Sequence, residues 1–165
     1  MDFTLRGFES HDFEVLWRID QECFPPGISY SRADLSAYVQ ARRGFTLIAE
    51  ERAGKLSKTD GCTAPSRKIL GFIIADANRK GVGHIITIDV LPEGRRFGIG
   101  SRLLAAAEER LRSANCTRIK LEAAVDNVPA LAFYKRHRYE PVKIISGYYS
   151  NGIDAWVLEK ALAQW

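Results

Sequence analysis

Short apolar stretches recur along the chain, separated by segments in which apolar residues return every three or four positions. The first pattern predicts strands and the second predicts helices. The predicted strands span about 3–7, 45–49, 69–75, 84–90, 118–122, 139–145 and 153–158. The predicted helices span about 10–22, 31–41, 98–113 and 127–137. Strands mixed with helices in this order indicate an α/β or α+β fold, with helices packed on a sheet.

Local signals indicate several boundaries of these elements. Ser10 and Asn127 are typical helix N-caps, and Ser31 together with Asp34 fits a capping box. Alternation in the fourth strand predicts that three apolar residues share one face: Ile86, Ile88 and Val90. The polar segment 52–67 predicts a surface loop, to which the sequence assigns no role.

The composition suits a single domain over residues 1–165. Of the 165 residues, 46% are hydrophobic and 27% are charged, so a core can form without disulfides or structural metal. No apolar run approaches the ~20 residues of a membrane span, and the first residues lack a signal-peptide pattern. Cys23, Cys62 and Cys116 are far apart and have no zinc-like spacing, which predicts reduced thiols. We therefore expect a cytoplasmic protein that binds neither metal nor membrane.

A basic, glycine-containing segment joins the fourth strand to the third helix. It contains three arginines, Arg95, Arg96 and Arg102, and no acidic residue occurs from 94 to 107. Because the first N–H groups of a helix are unpaired and carry partial positive charge, this arrangement predicts an anion site. Gly98 and Gly100 would let phosphates approach the main chain. The alternative is a glycine turn with solvated arginines, and neither the dinucleotide-binding nor the P-loop glycine pattern is complete.

This segment resembles the coenzyme A pyrophosphate loop of the GNAT superfamily of N-acetyltransferases. The similarity covers about residues 3–160, and it implies a mixed, twisted sheet of about seven strands with about four helices. Strands 4 and 5 would splay apart to hold acetyl-CoA as co-substrate, with no metal. The coenzyme contacts implied by the resemblance are Ile88, Asp89, Val90, Arg95, Arg96, Phe97, Gly98, Ile99, Gly100 and Ser101.

The segment 121–134 is similar to that of the RimI-type ribosomal-protein-alanine N-acetyltransferases. The resemblance implies that Glu122 is the general base, that Tyr134 is the general acid and that Asn127 and Tyr134 contact the coenzyme. These roles suit the chemistry, because an attacking amine must lose a proton and a departing thiolate gains from a proton donor. The Val90 N–H would stabilise the carbonyl oxygen. The alternatives are a solvated strand glutamate and a tyrosine that only packs.

Two loops are predicted to hold the acceptor amine. In similar enzymes the loop between the first two helices and the loop between the last two strands grip the acceptor peptide. The residues that match are Pro26, Ile28, Tyr30, Tyr148 and Tyr149. Gly147 replaces the asparagine that is typical before the paired tyrosines, and Arg138 stands where a glycine usually ends the last helix. The alternative is a turn that happens to carry aromatic residues.

The sequence therefore predicts an acetyl-CoA-dependent N-acetyltransferase that acts by direct transfer on the α-amino group of a protein or peptide. The first alternative acceptor is a small amine, such as a polyamine, an amino acid or an antibiotic. The second alternative is an acyl-CoA-binding module without activity. The protein is expected to be a monomer or homodimer that binds no nucleic acid, because its basic residues cluster at one helix start. His11, His84 and His137 show no ligand spacing and are interpreted as structural or exposed.

Overall fold

The computed structural model describes residues 1–52 and 67–163. Cys62 and most of the predicted 52–67 loop lie outside the described residues. The strands are Phe3–Gly7 (β1), Gly44–Glu51 (β2), Ile69–Ala77 (β3), Val82–Val90 (β4), Arg118–Ala124 (β5), Glu140–Ile145 (β6) and Ala155–Ala161 (β7). The α-helices are Phe13–Cys23 (α1), Arg32–Val39 (α2), Ile99–Ser113 (α3) and Val128–Arg136 (α4). Each predicted strand and helix is confirmed, with ends that differ by a few residues.

The seven described strands form one mixed sheet in the order β1-β2-β3-β4-β5-β7-β6. Neighbouring strands are antiparallel except β4 and β5, which are parallel and are joined through α3. A parallel pair needs such a crossover connection, and α3 supplies it. This arrangement is the fold that the sequence resemblance implies.

Helices cover both faces of the sheet, and each face has its own core. Leu103, Leu104 and Leu111 of α3 are fully buried against one face, where β3 and β5 contribute most of the buried strand residues. Leu16 of α1 and Leu35 of α2 are fully buried against the other face. The two cores leave the edge between β4 and β5 as the place where side chains from both faces can meet.

Two sequence-based predictions about local structure are wrong. Ser10 does not cap α1; it begins a single 3₁₀ turn, in which Glu9 and Asp12 form a reciprocal capping box. Ile86 does not share a face with Ile88 and Val90, because the register of β4 against β3 shifts at this point. The extra residue in this bulge sends Ile86 to the α1 side, while Ile88 and Val90 pack on the α3 side.

Helix ends elsewhere follow the predicted signals. The Ser31 hydroxyl accepts a hydrogen bond of 3.1 Å from the Asp34 main-chain N–H at the start of α2. Arg138 takes a left-handed conformation with φ of 67° after α4, as expected where glycine is usual. Among the described residues, no helix combines the length and the apolar character that crossing a bilayer requires.

Gly71 is predicted to be essential to the fit between β3 and β4. A Cβ on Gly71 would lie 2.4 Å from the Asp89 carbonyl oxygen, whereas a Cβ on Gly7 would meet no heavy atom within 4 Å. Gly71→Ala should therefore lower the free energy of unfolding by about 1–3 kcal/mol, because backbone must move. Gly7→Ala, the matched control, should change it by less than about 1 kcal/mol. Urea denaturation of both variants is the measurement, and equal effects would contradict this packing.

Candidate active site

The parallel strands β4 and β5 pair only at their beginnings and then separate. Val82, Gly83 and His84 pair with the first three residues of β5, and no pairing follows up to Val90. Instead, β5 pairs along its whole length with β7. A cleft therefore opens between the carboxyl-terminal halves of β4 and β5, in the middle of the sheet.

The register of β4 points main-chain groups into this cleft. Leu91 donates its N–H to the Leu70 carbonyl oxygen, so residues opposite each other at this position form a hydrogen-bonded pair. Hydrogen-bonded and non-hydrogen-bonded pairs alternate along an antiparallel ladder. The next pair, Gly71 and Val90, is therefore a non-hydrogen-bonded pair. The N–H and C=O groups of Val90, and likewise those of Ile88, consequently point away from β3 and toward the cleft.

The first turn of α3 begins close to the end of β4 and has unpaired N–H groups. Gly98 is the N-cap in a left-handed conformation with φ of 81°, and no side chain caps the helix. The first turn contains no acidic residue. A Cβ on Gly98 would meet no heavy atom within 4 Å, so the main chain is open to a ligand there. The donor set and the free space fit the pyrophosphate of a coenzyme A molecule.

The other predicted coenzyme residues surround this turn in different ways. Arg96 has an unusual φ of 66° and an exposed side chain, and Phe97 is 51% exposed. The Arg95 guanidinium turns back and donates to the Val90 carbonyl oxygen at 3.0 Å. Ile99 is buried in the core, so only its main chain faces the turn. Gly100 lies beside the Phe133 ring.

Ser101 links the start of α3 to the end of α4. Its hydroxyl and the Nε2 atom of His137 are 2.9 Å apart. His137 therefore joins the ends of the two helices. Burial lowers its pKa, which favours a neutral ring that can share one hydrogen bond with the hydroxyl.

The two α4 residues of the predicted site occupy different environments. The Asn127 side chain accepts a hydrogen bond of 3.2 Å from the Ala130 N–H, so it caps the helix. Tyr134 is 6% exposed, and its hydroxyl has no hydrogen-bond partner among the described residues. Burial raises the pKa of Tyr134 well above its ordinary value, and the nearby charge of Asp89 acts in the same direction. The hydroxyl therefore stays protonated and free to donate.

Glu122 forms a pair with His84 across the start of the cleft. The Glu122 Oε2 and His84 Nε2 atoms are 2.6 Å apart, and the two side chains are 12% and 25% exposed. Burial would raise the pKa of Glu122, but the hydrogen bond and charge of His84 outweigh it, so the pKa lies below its ordinary value. Glu122 is thus a carboxylate at neutral pH and is linked through His84 to solvent.

The sequence interpretation missed this role of His84. A histidine alone in a strand carries no spacing signal, so only the pairing of strands identifies its partner. The parallel register places His84 opposite Lys120, and Glu122 lies two residues further on the same face of β5. A sequence analysis that assumed a parallel β4–β5 pair with this register would have found the contact between His84 and Glu122.

The two predicted acceptor loops contact each other beside this pair. The Ser150 hydroxyl donates to the Gly27 carbonyl oxygen at 3.0 Å, and a Cβ on Gly27 would collide with Asn151. Tyr148 and Tyr149 form an edge-to-face pair with ring centroids 4.9 Å apart. Burial raises the pKa of Tyr148 to about 12, and the charge of Glu122 contributes in the same direction. Burial and nearby charges, Glu122 among them, also raise the pKa of Tyr149, so both rings lie near Glu122.

The other acceptor loop presents a mixed surface. Pro26 is exposed and Ile28 is half-buried. Tyr30 is held by groups outside its loop. Its hydroxyl donates to the Ile86 carbonyl oxygen of β4 at 3.3 Å, and its ring packs edge-on against Tyr38 of α2. The paired tyrosines thus lie on the side of the cleft that Glu122 faces, and the loop 24–30 contacts their loop. Of the predicted coenzyme residues, Asp89 lies apart from the others, because its side chain is buried on the α1 side of the sheet beside Asp20.

A family model settles which proteins share this arrangement. The model described as Acetyltransferase (GNAT) family matches residues 13–139, which is most of the chain. The chain belongs to the GNAT family. This assignment confirms the resemblance inferred from the glycine-containing turn.

Several GNAT proteins are similar to this chain. An N-alpha-acetyltransferase of Saccharolobus solfataricus is 40% identical over 81 residues, which cover 48% of each chain, so the match spans about half the length of that relative. The crystal structure of Arabidopsis thaliana NAA60 in complex with acetyl-CoA has a TM-score of 0.80 at 20% identity, covering 98% and 99% of the two chains. The ribosomal-protein-S18-alanine N-acetyltransferase of Escherichia coli has a TM-score of 0.79 at 20% identity, covering 99% and 96%.

The acidity of Glu122 in this GNAT protein should depend on His84. In the wild type, the Glu122 carboxyl should titrate below its ordinary pKa. In His84→Leu the pKa should rise, because only the weaker influences of the Lys120 charge and a main-chain hydrogen bond then oppose burial. Lys120→Met is the control and should shift it less, since the Lys120 charge is a smaller influence. Carboxyl NMR titration measures all three, and an unchanged pKa in His84→Leu would disprove the pairing.

Proposed function

We propose that this protein is an acetyl-CoA-dependent N-acetyltransferase and that its acceptor is the α-amino group of a protein or peptide. The observation that carries the proposal is the Glu122–His84 pair at the open edge between β4 and β5, with the acceptor loops beside it. We also propose that residues 1–165 act as one domain in the cytoplasm, as a monomer or homodimer.

The coenzyme would bind along β4 and at the first turn of α3. The uncapped N–H groups that follow Gly98 would hold the pyrophosphate, helped by the charge of Arg96. The main-chain groups of Ile88 would pair with the extended arm of the coenzyme, and the Asn127 side chain, which caps α4, would contact the coenzyme. Acetyl-CoA would supply the activated acyl group as a thioester.

The Val90 N–H would stabilise the transition state. In the transfer a carbon–nitrogen bond forms, the carbon–sulfur bond breaks and negative charge develops on the carbonyl oxygen. A main-chain donor fixed by the sheet costs no reorganisation at that moment. Its direction toward the cleft follows from the register of β4 against β3.

Glu122 would take the proton that the attacking amine must lose. Because its pKa is lowered, the carboxylate is ionised at neutral pH but is a weak base. The carboxyl would then lose this proton to solvent through His84, once the partly exposed imidazole ring has itself released a proton to water. A weak base favours an acceptor that is already partly neutral. An α-amino group, with a pKa of ~7.7–8.0, meets this condition, whereas a lysine side chain, at ~10.4, does not.

Tyr134 would assist the departing sulfur. Its raised pKa keeps the hydroxyl protonated, and the hydroxyl has no competing partner among the described residues. Complete proton transfer to a thiolate of pKa ~8.5 would be uphill for so weak an acid. Tyr134 would therefore stabilise the thiolate mainly by donating a hydrogen bond, after which the sulfur takes a proton that ultimately comes from solvent.

An acceptor comparison tests this function. The acceptors are a peptide with a free N-terminus, the same peptide blocked at the N-terminus but containing lysine, and a polyamine, and release of the coenzyme thiol is the readout. The free N-terminus should react fastest. Preference for the polyamine would favour the small-amine alternative, and absence of transfer despite coenzyme binding would favour the non-catalytic module.

Glu122→Gln should lower kcat/KM by about 10²–10⁴-fold, because the base is lost while the side-chain shape is kept. Its dissociation constant for coenzyme A should change little, since Glu122 lies on the acceptor side. Glu140→Gln, an exposed residue of β6, is the matched control and should behave as the wild type. Equal activity in both variants would exclude Glu122 as the base.

A further inference from the structure

Two aspartates that the mechanism above leaves unused meet behind the loop 24–30. Asp20 of α1 is fully buried and Asp89 of β4 is 1% exposed. Their carboxyl groups are within hydrogen-bonding reach of each other. Each group has one buried oxygen without a donor among the described residues, Oδ1 of Asp20 and Oδ2 of Asp89. Two buried carboxylates in contact would repel each other and leave two acceptors unsatisfied, unless a proton lies between them.

The remaining oxygens of the pair connect it to the site. Asp20 Oδ2 accepts a hydrogen bond of 2.7 Å from the Tyr30 main-chain N–H and one of 3.2 Å from Gln21. Asp89 Oδ1 accepts from the Thr87 hydroxyl. The pair therefore joins a residue of the acceptor loop to β4, one position before Val90.

We propose that Asp20 and Asp89 share one proton and that this pair is a positioning device, which holds the acceptor loop against β4. Its effect on the acceptor rests on the proposed function, whereas the shared proton does not. The two aspartates touch neither substrate in this scheme. They fix the distance between Tyr30, which lines the acceptor side, and the Val90 N–H, which faces the acyl group.

The attachments of Tyr30 support this role. Its carbonyl oxygen accepts from Trp17 Nε1 at 3.2 Å and from Gln21 Nε2 at 2.8 Å, and its hydroxyl donates to Ile86 of β4. The loop residue is thus bonded to both α1 and β4. Asp20 supplies the bond to its N–H, which would otherwise be a buried donor without a partner.

The groups around the pair leave its charge largely uncompensated. The titratable and charged side chains that face it or its close neighbours are Cys23, Tyr30, Arg95 and Tyr134. Burial, with the charge of Asp89, raises the pKa of Cys23 to about 12, so this thiol stays neutral. Arg95 lies near Cys23 and bonds the Val90 carbonyl oxygen. A single negative charge shared by two carboxyls is the state that these surroundings favour.

The pH dependence of stability follows from the same argument. Burial raises the pKa of both aspartates, and their mutual contact splits the two titrations. The folded protein therefore keeps a proton that the unfolded chain loses. The free energy of unfolding should fall as the pH rises from the ordinary aspartate range through the raised pKa of the pair. Above that pKa no further loss from this pair is expected.

Two substitutions at Asp20 separate the shared proton from the packing. Asp20→Asn keeps an oxygen for the Tyr30 N–H and offers its own N–H to Asp89, with no shared proton needed. Asp20→Leu removes both functions and keeps the branched shape of the side chain, at a larger volume. Glu22→Leu, on an exposed part of α1, is the matched control.

Infrared spectroscopy tests the shared proton without any assay of activity. At neutral pH the wild type should show the carbonyl stretch of a protonated carboxylic acid, and Asp20→Asn should lack it. Asp20→Asn should also flatten the fall in stability with pH. If the wild type shows no protonated carboxyl band at neutral pH, the shared proton is disproved, even if the enzyme transfers acetyl groups.

Kinetics and amide exchange test the positioning role. Asp20→Leu should raise the acceptor KM by about tenfold or more and change the coenzyme dissociation constant by less than about threefold, while Asp20→Asn and Glu22→Leu stay near the wild type. Exchange of the Tyr30 amide hydrogen should be slow in the wild type and Asp20→Asn and fast in Asp20→Leu. Slow exchange or an unchanged KM in a folded Asp20→Leu would overturn the role. If Asp20→Leu does not fold, a raised KM and fast exchange in Asp20→Ala would support it, and wild-type values would refute it.

Discussion

The separation of β4 from β5 after three paired residues is the constraint on which the site depends. A strand edge inside a sheet leaves main-chain donors and acceptors without partners, which is costly unless a ligand pairs with them. The register against β3 directs the main-chain groups of Ile88 and the N–H of Val90 into that opening, and β7 takes the place of β4 beside β5. This edge of the sheet thus offers main-chain hydrogen-bonding groups to a ligand, and no side chain is needed for that contact.

The opening also divides the chemistry between two faces. On one side lies α3, whose first turn offers uncapped N–H groups and no acid. On the other lie the Glu122–His84 pair and the two touching acceptor loops. Tyr134 of α4 lies near Asp89 of β4 and near Tyr149, and its hydroxyl stays protonated. In the proposed reaction, the donor and the acceptor would approach from opposite faces and meet where the strands part.

The sequence predicted the strands and α-helices of the described residues, most of them from an apolar period and α2 from the capping box of Ser31. It predicted the glycine turn because three arginines and no acidic residue occur from 94 to 107. It failed where the result depends on pairing between distant segments. The bulge at Ile86 is set by the register with β3, and no local pattern indicates it. The contacts of His84 with Glu122 and of Asp20 with Asp89 join residues 38 and 69 positions apart, which only the folded sheet brings together.

The central claim is that the α3 turn and the free edge of β4 together hold coenzyme A. A titration of isotope-labelled protein with coenzyme A, followed through its amide NMR signals, tests this most directly. We expect the largest shifts at the amides of residues 98–101 and at Ile88 and Val90, with little change in β1. Shifts confined to other parts of the protein, or no saturable shift at all, would contradict it.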